Sequence, residues 1–215
     1  MRLSRREILT ILVIVLLFFG IGACFYPQMP ERIASHWNAE GQADGSMSRF
    51  WGLFFLPFMM VGLLALLIVI PRIDPLAANI QEFRKYYFWF IILFEVFFLY
   101  IFLLSIAWNL GARFDMIQLM APVFGVLIYY AGVLIGKAKR NWYIGIRTPW
   151  TLSNEKVWEK SHLIGGRLFK ASGVIALLGL LLPQYAIFFV LIPVILAALA
   201  SMVYSYFEYR RVTTA

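Results

Sequence analysis

Three side chains able to bind a metal or move a proton recur at four-residue steps early in this chain: His36, Glu40 and Asp44. On a helix that spacing would align an imidazole and two carboxylates on one face, a ligand set suited to zinc. Gly41 and Gly45 disfavour such a helix, so the same stretch also reads as a turn-rich, hydrogen-bonded loop. A second capable group is Glu95, enclosed by Phe94, Val96, Phe97 and Phe98. The third is the polar and aromatic island from Asn141 to Gly166, which holds Trp142, Trp150, Trp158 and His162 in a chain that is otherwise mostly hydrocarbon.

What positions these groups is set by composition. A chain with 62% hydrophobic residues, 14% charged residues and a mean hydropathy of +0.81 is an integral membrane protein. A hydrocarbon core of about 30 Å needs roughly 20 helical residues to cross it. Six apolar stretches qualify: Ile8 to Tyr26, Trp51 to Ile70, Tyr86 to Leu110, Ile117 to Gly136, Leu168 to Leu182 and Tyr185 to Phe207. Pro183-Gln184 divides the last two into a hairpin. The runs are continuous rather than alternating, which predicts helices and not barrel strands. The first stretch is longer than a signal-peptide core, and Tyr26-Pro27-Gln28 is no small-residue cleavage site, so it reads as a retained span.

Basic residues set the orientation. With six spans, 16 of the 19 Lys and Arg fall on the side of the two termini, from Arg2, Arg5 and Arg6 to Arg210 and Arg211. Only Arg32, Arg49 and Arg113 lie opposite. The positive-inside rule therefore predicts both termini inside. The net charge of +8 follows from this topology and from attraction to anionic membrane lipid, so no direct nucleic-acid binding is needed to explain it.

This frame places His36 outside and His162 inside, where they cannot share a metal ion. Cys24 is the single cysteine, which excludes an intramolecular disulfide. There is no H-E-x-x-H, G-x-S-x-G or phosphate loop, and no cofactor is implied. Within the island, Pro149 predicts an extended Thr148, followed by a helix starting at Ser153. Val157, Trp158, Ser161 and Ile164 share one face of that helix, which predicts an amphipathic helix on the inner membrane surface between the fourth and fifth spans. Its three tryptophans read either as membrane anchors or as part of a docking surface. Glu95, nine residues from the start of its span, lies roughly 13 Å deep. It reads as interhelical hydrogen-bonded glue, with Tyr129 and Tyr130 as partners, or as a working carboxylate.

The outer HWNAEGQADG, the inner YIGIRTPWTLSNEKVWEKSHLIGG and the span arrangement resemble the SdpI family. The outer motif resembles its amino-terminal domain of unknown function, of the DUF1648 type. The resemblance implies a two-helix unit over residues 1–85 and a four-helix unit over residues 86–215. It also implies a non-enzymatic immunity protein of the bacterial cytoplasmic membrane that resists a secreted, membrane-disrupting Sdp toxin. In the family's named system the immunity protein also signals, holding a winged-helix repressor at the membrane. On this footing His36, Trp37, Asn38, Gly41 and Asp44 would shape an outer sensing surface. Gly145, Arg147, Thr148, Pro149, Trp150, Trp158 and His162 would form an inner coupling element. The partners implied are lipid, a toxin outside and a repressor inside, with no oligomeric state specified. The other classes are a membrane enzyme or a transporter, working through His36, Glu40 and Asp44 or through Glu95 on a lipid, peptide or small solute.

The orientation is tested with single cysteines at Ser46 and Ser153 in a Cys24→Ala background. A membrane-impermeant thiol reagent applied to intact cells should label the first and spare the second; equal labelling would sink the six-span, N-inside arrangement.

Overall fold

The structure is a computed structural model that describes residues 3–38 and 41–214. Arg2 and Glu40 therefore lie outside the described residues. Six of its helices are long and apolar enough to cross a membrane. In chain order they are α1 (Arg5–Phe25), α2 (Arg49–Ile73), α4 (Arg84–Asn109), α5 (Met116–Ile135), α7 (Glu155–Ala176) and α8 (Ala186–Thr213). Two short helices, α3 (Ala77–Glu82) and α6 (Pro149–Ser153), lie in the connections. A hairpin of β1 (Arg32–Trp37) and β2 (Ala43–Ser48) joins α1 to α2.

Local chemistry explains the helix starts. Ser4 caps α1, its side chain accepting from Glu7 N–H while the Glu7 carboxylate accepts from Ser4 N–H. The same carboxylate pairs with Arg84 at the start of α4, with Nη2 at 2.5 and 2.7 Å from its two oxygens. The first turns of α1 and α4 are thereby fixed together. Around them one apolar cluster joins α1, α2 and α4 through Phe18, Leu53, Met60, Ile91 and Phe102.

The other half of the bundle is built differently. α5 runs antiparallel to α7, and the two cross on glycines: Gly125 faces Gly173, and Gly132 faces Gly166. A Cβ on Gly132 would stand 2.7 Å from the Gly166 carbonyl oxygen and 2.7 Å from Lys170 N. One on Gly173 would stand 2.5 Å from the Gly125 carbonyl. Backbone lies directly on backbone, as in small-residue crossings of membrane helices, where packing replaces a hydrophobic drive that lipid cannot supply. Just past the end of α5, Lys139 pairs with Glu159 of α7 at 3.5 Å. On its other side α7 packs on α8, where Ser172 Oγ donates to the Pro193 carbonyl at 2.9 Å.

Three expectations are corrected. The outer loop is a β-hairpin rather than an irregular turn region, because Asn38 organises the reversal: its side-chain oxygen accepts from Gln42 N–H, and its backbone N–H donates to the Gln42 carbonyl. The expected surface helix is not separate from the fifth span, since α7 runs unbroken from Glu155. Its apolar face is buried in protein, with Val157, Trp158 and Ser161 at 0% exposure, so it does not rest on the membrane surface. Finally, helix begins directly at Pro149 rather than at Ser153. Thr148 is extended as expected, but it serves as the cap of α6, and Asn154 then caps α7.

Overfilling the glycine crossing should be costly. Gly173→Val should destabilise the fold by about 1–3 kcal/mol, whereas Gly62→Ala, with no atom within 4 Å of the added carbon, should be close to neutral. Thermal unfolding of both in the same detergent decides it, and equal melting temperatures would mean that the helices do not approach this closely.

Candidate functional site

The outer group forms on the hairpin. Asn109, at the end of α4, holds the edge of β1 in both directions: Ala34 N–H donates to its Oδ1 at 2.7 Å, and its Nδ2 donates to the Ala34 carbonyl at 3.0 Å. Trp37 meets Trp108 edge-on at 5.7 Å, and Arg113 covers the other ring at 4.3 Å. Gly41, at φ +74°, presses against Asp115, the cap of α5, where a Cβ would come within 2.8 Å of Oδ1. The hairpin is thus bonded to the end of α4 and packed against the cap of α5. His36 and Asp44 pair across its strands at 2.5 Å and remain largely exposed. Among the described residues no group of three or more His, Cys, Asp or Glu could hold a metal ion. Beneath the strands, Trp37, Trp51, Phe55 and Phe102 line a cavity of about 180 Å³.

The inner group is built on His162. Its ring stacks on Trp158 at 3.8 Å and 17°, its Nδ1 lies 2.8 Å from the Trp158 carbonyl, and its Nε2 accepts from Ile146 N–H at 3.0 Å. Together these bonds assign the proton to Nδ1. Gly145, at φ +112°, passes over the ring so closely that a Cβ would fall 2.3 Å from Nε2. Here only glycine meets both the conformation and the contact. Trp158 is fully buried, and its Nε1 donates to the Ala138 carbonyl at 2.8 Å, so it is a core residue rather than a membrane anchor.

Thr148 and Thr151 form a reciprocal cap, with each backbone N–H donating to the other's hydroxyl. Thr148 Oγ1 also reaches Ser205 Oγ of α8 at 3.0 Å. Pro149 occupies the first turn of α6, and Trp150 packs on Tyr206 of α8 at 5.2 Å. Arg147 is exposed, with one bond, from Nη1 to the Trp142 carbonyl at 2.9 Å.

Several organising residues escaped the sequence reading. Asn141 is fully buried and makes four bonds, accepting from Tyr143 and Ile144 N–H and donating to the Lys139 and Ile144 carbonyls. Asp74, between α2 and α3, accepts from Trp142 N–H at 2.8 Å and from Leu76 N–H at 2.6 Å. Glu208 of α8 is buried and pairs with Lys160 at 2.6 Å. Asn141 opens the island, and its small polar side chain next to an aromatic pair was the one available signal; Asp74 and Glu208 depend on partners 68 and 48 positions away.

Glu95 is buried at 0% exposure, and neither carboxyl oxygen has a hydrogen-bond partner. The expected tyrosines do not supply one: Tyr130 donates to the Tyr86 carbonyl at 3.2 Å, and Tyr129 is exposed on the bundle surface. Both lie on α5, but neither is turned to the carboxyl.

The chain is similar to known proteins along almost its whole length. Residues 137–205 match the SdpI/YfhL protein family, and residues 13–61 match a domain of unknown function (DUF1648). Over 209 residues it is 26% identical to "Immunity protein SdpI" of Bacillus subtilis (strain 168), covering 96% of this chain and 97% of that one. No solved structure matches it. These similarities and the six apolar helices identify a multi-pass bacterial cell membrane protein.

A buried carboxyl without partners costs about 1–3 kcal/mol relative to an apolar group of similar shape. Glu95→Leu should therefore raise the Tm, with Glu95→Gln staying near the parent. A lower Tm for the leucine variant would show that the carboxyl is hydrogen-bonded after all.

Proposed function

We propose, taking the SdpI-like character of this chain as premise, that it is a non-enzymatic immunity protein protecting its membrane against a secreted, membrane-active peptide. The observation that carries the reading is the similarity to an immunity protein across both chains end to end. In this reading residues 1–85 form the receiving unit, and residues 86–215 the unit that carries the inner element. The basic side, with both termini, faces the cytoplasm.

The geometry supports such a division of labour. Around the outer hairpin Trp37, Trp51 and Trp108 offer aromatic surface at the membrane boundary, where an amphipathic peptide would first lodge. His36 and Asp44 supply a polar rim. Because Asn109 and Asp115 tie the hairpin to α4 and α5, a load on it is passed to α5 and, through the glycine crossing, to α7. The island of Gly145, Arg147, Thr148, Pro149, Trp150, Trp158 and His162 stands at the far end of that helix pair. It presents the surface on which a cytoplasmic repressor would be held.

The test is survival. A sensitive bacterium expressing this chain should outlive vector controls when challenged with an Sdp-type toxin peptide, and Trp37→Ala should reduce protection without reducing the amount of protein in the membrane. Killing equal to the vector control overturns the immunity reading. Pro149→Ala and Trp150→Ala should weaken recruitment of a cytoplasmic partner while leaving insertion intact; unchanged recruitment makes the island a connector only.

A further inference from the structure

We infer that the basic end of the bundle holds one anionic phospholipid, with an acyl chain in a lateral cavity between α2, α4 and α5 and its phosphate on Arg147. The cavity measures about 430 Å³ and is lined by Leu67 and Ile70 of α2, Phe90 of α4, Leu134 of α5 and the inner loop up to Arg147. That volume falls in the roughly 300–1,000 Å³ range of small-molecule sites. Every helical residue of its lining lies in the turns of α2, α4 and α5 next to the basic loops. The site therefore sits at the depth of one leaflet's acyl chains, just beneath the headgroups.

The wall is apolar in effect as well as in composition. Tyr87, the polar side chain between the helices, has its hydroxyl committed to the Leu67 carbonyl at 2.7 Å. Recognition then falls to Arg147 at the rim. Its bond to the Trp142 carbonyl uses one of five guanidinium donors, and among the described residues no carboxylate pairs with it. A guanidinium held in place by one backbone bond, with most of its donors unused among the described residues, offers the planar fork that binds phosphate oxygens in pairs. An apolar slot with one fixed cation at headgroup level is complementary to a lipid carrying net negative charge. A zwitterionic lipid brings its own ammonium to the same place and gains less. Basic pockets between membrane helices select anionic headgroups on this physical ground. The inference goes beyond the immunity reading and is independent of it.

Native mass spectrometry of the full-length protein, titrated with phosphatidylglycerol and with phosphatidylcholine of identical chains, tests it. The first phosphatidylglycerol should bind about fivefold more tightly than phosphatidylcholine, the increment of one basic contact at a membrane surface. Arg147→Gln should abolish that preference and leave phosphatidylcholine binding as it was. Ala131→Phe, which fills the cavity from α5, should weaken both lipids, with Ile70→Phe filling it from α2 should the first variant fail to fold. Equal affinities in the parent protein, or a preference that survives Arg147→Gln, overturns the headgroup site. A preference that survives both filled cavities means lipid on the general basic surface and overturns the acyl site. A dimer that binds neither lipid shows the cavity covered by a second copy and overturns the proposal. None of these outcomes bears on toxin protection, whose failure is read separately in the survival assay.

Discussion

Contact between the backbones of α5 and α7 is the constraint on which the second half of this protein depends. Lipid is as apolar as leucine, so two membrane helices gain little from burying side chains against one another and associate through close, specific packing. Gly125 and Gly132 on one helix and Gly166 and Gly173 on the other remove every atom that would hold the axes apart. The approach fixes rotation and register together. The crossing also brings the turn after α5 beside the first turns of α7, where Lys139 pairs with Glu159. The bond from Trp158 to the Ala138 carbonyl likewise requires the end of α5 to lie against the first turns of α7.

With that register set, the island becomes a folded polar core rather than a loop. His162 projects from α7 to the place where Gly145 and Ile146 cross it. Asn141 and Asp74 close the loop back on itself and on the α2–α3 connection. Thr148 and Trp150 carry it onto α8. Buried polar groups are tolerated where every donor and acceptor finds a partner, and Asn141, with four bonds, meets that condition. Glu95 does not, and among the described residues its carboxyl alone is buried without a hydrogen-bond partner.

The two faces of the protein differ in how they meet the membrane. At one face a hairpin turns the chain over the helix ends, and aromatic rings crowd around it. At the opposite face the loop covers the helix ends but leaves a lateral opening between α2, α4 and α5, rimmed by Arg147.

Sequence alone determined the class and the six spans, because crossing a bilayer imposes a length of continuous apolar residues that can be counted without any partner. It also determined the extended Thr148 before Pro149, a steric property of one dipeptide. The motifs that carry the family resemblance were legible for the same local reason. The tertiary structure decided what those motifs do to one another. The amphipathic pattern around Val157 and Trp158 fits a membrane surface and a protein core equally well, and only the α5 crossing assigns it to the core. The tyrosines near Glu95 lie at a suitable depth along α5, but depth does not fix rotation, and the glycine register turns them elsewhere. The hairpin depended on Asn109, more than seventy residues away, because strand pairing and its anchoring are long-range properties that no short stretch of the chain contains.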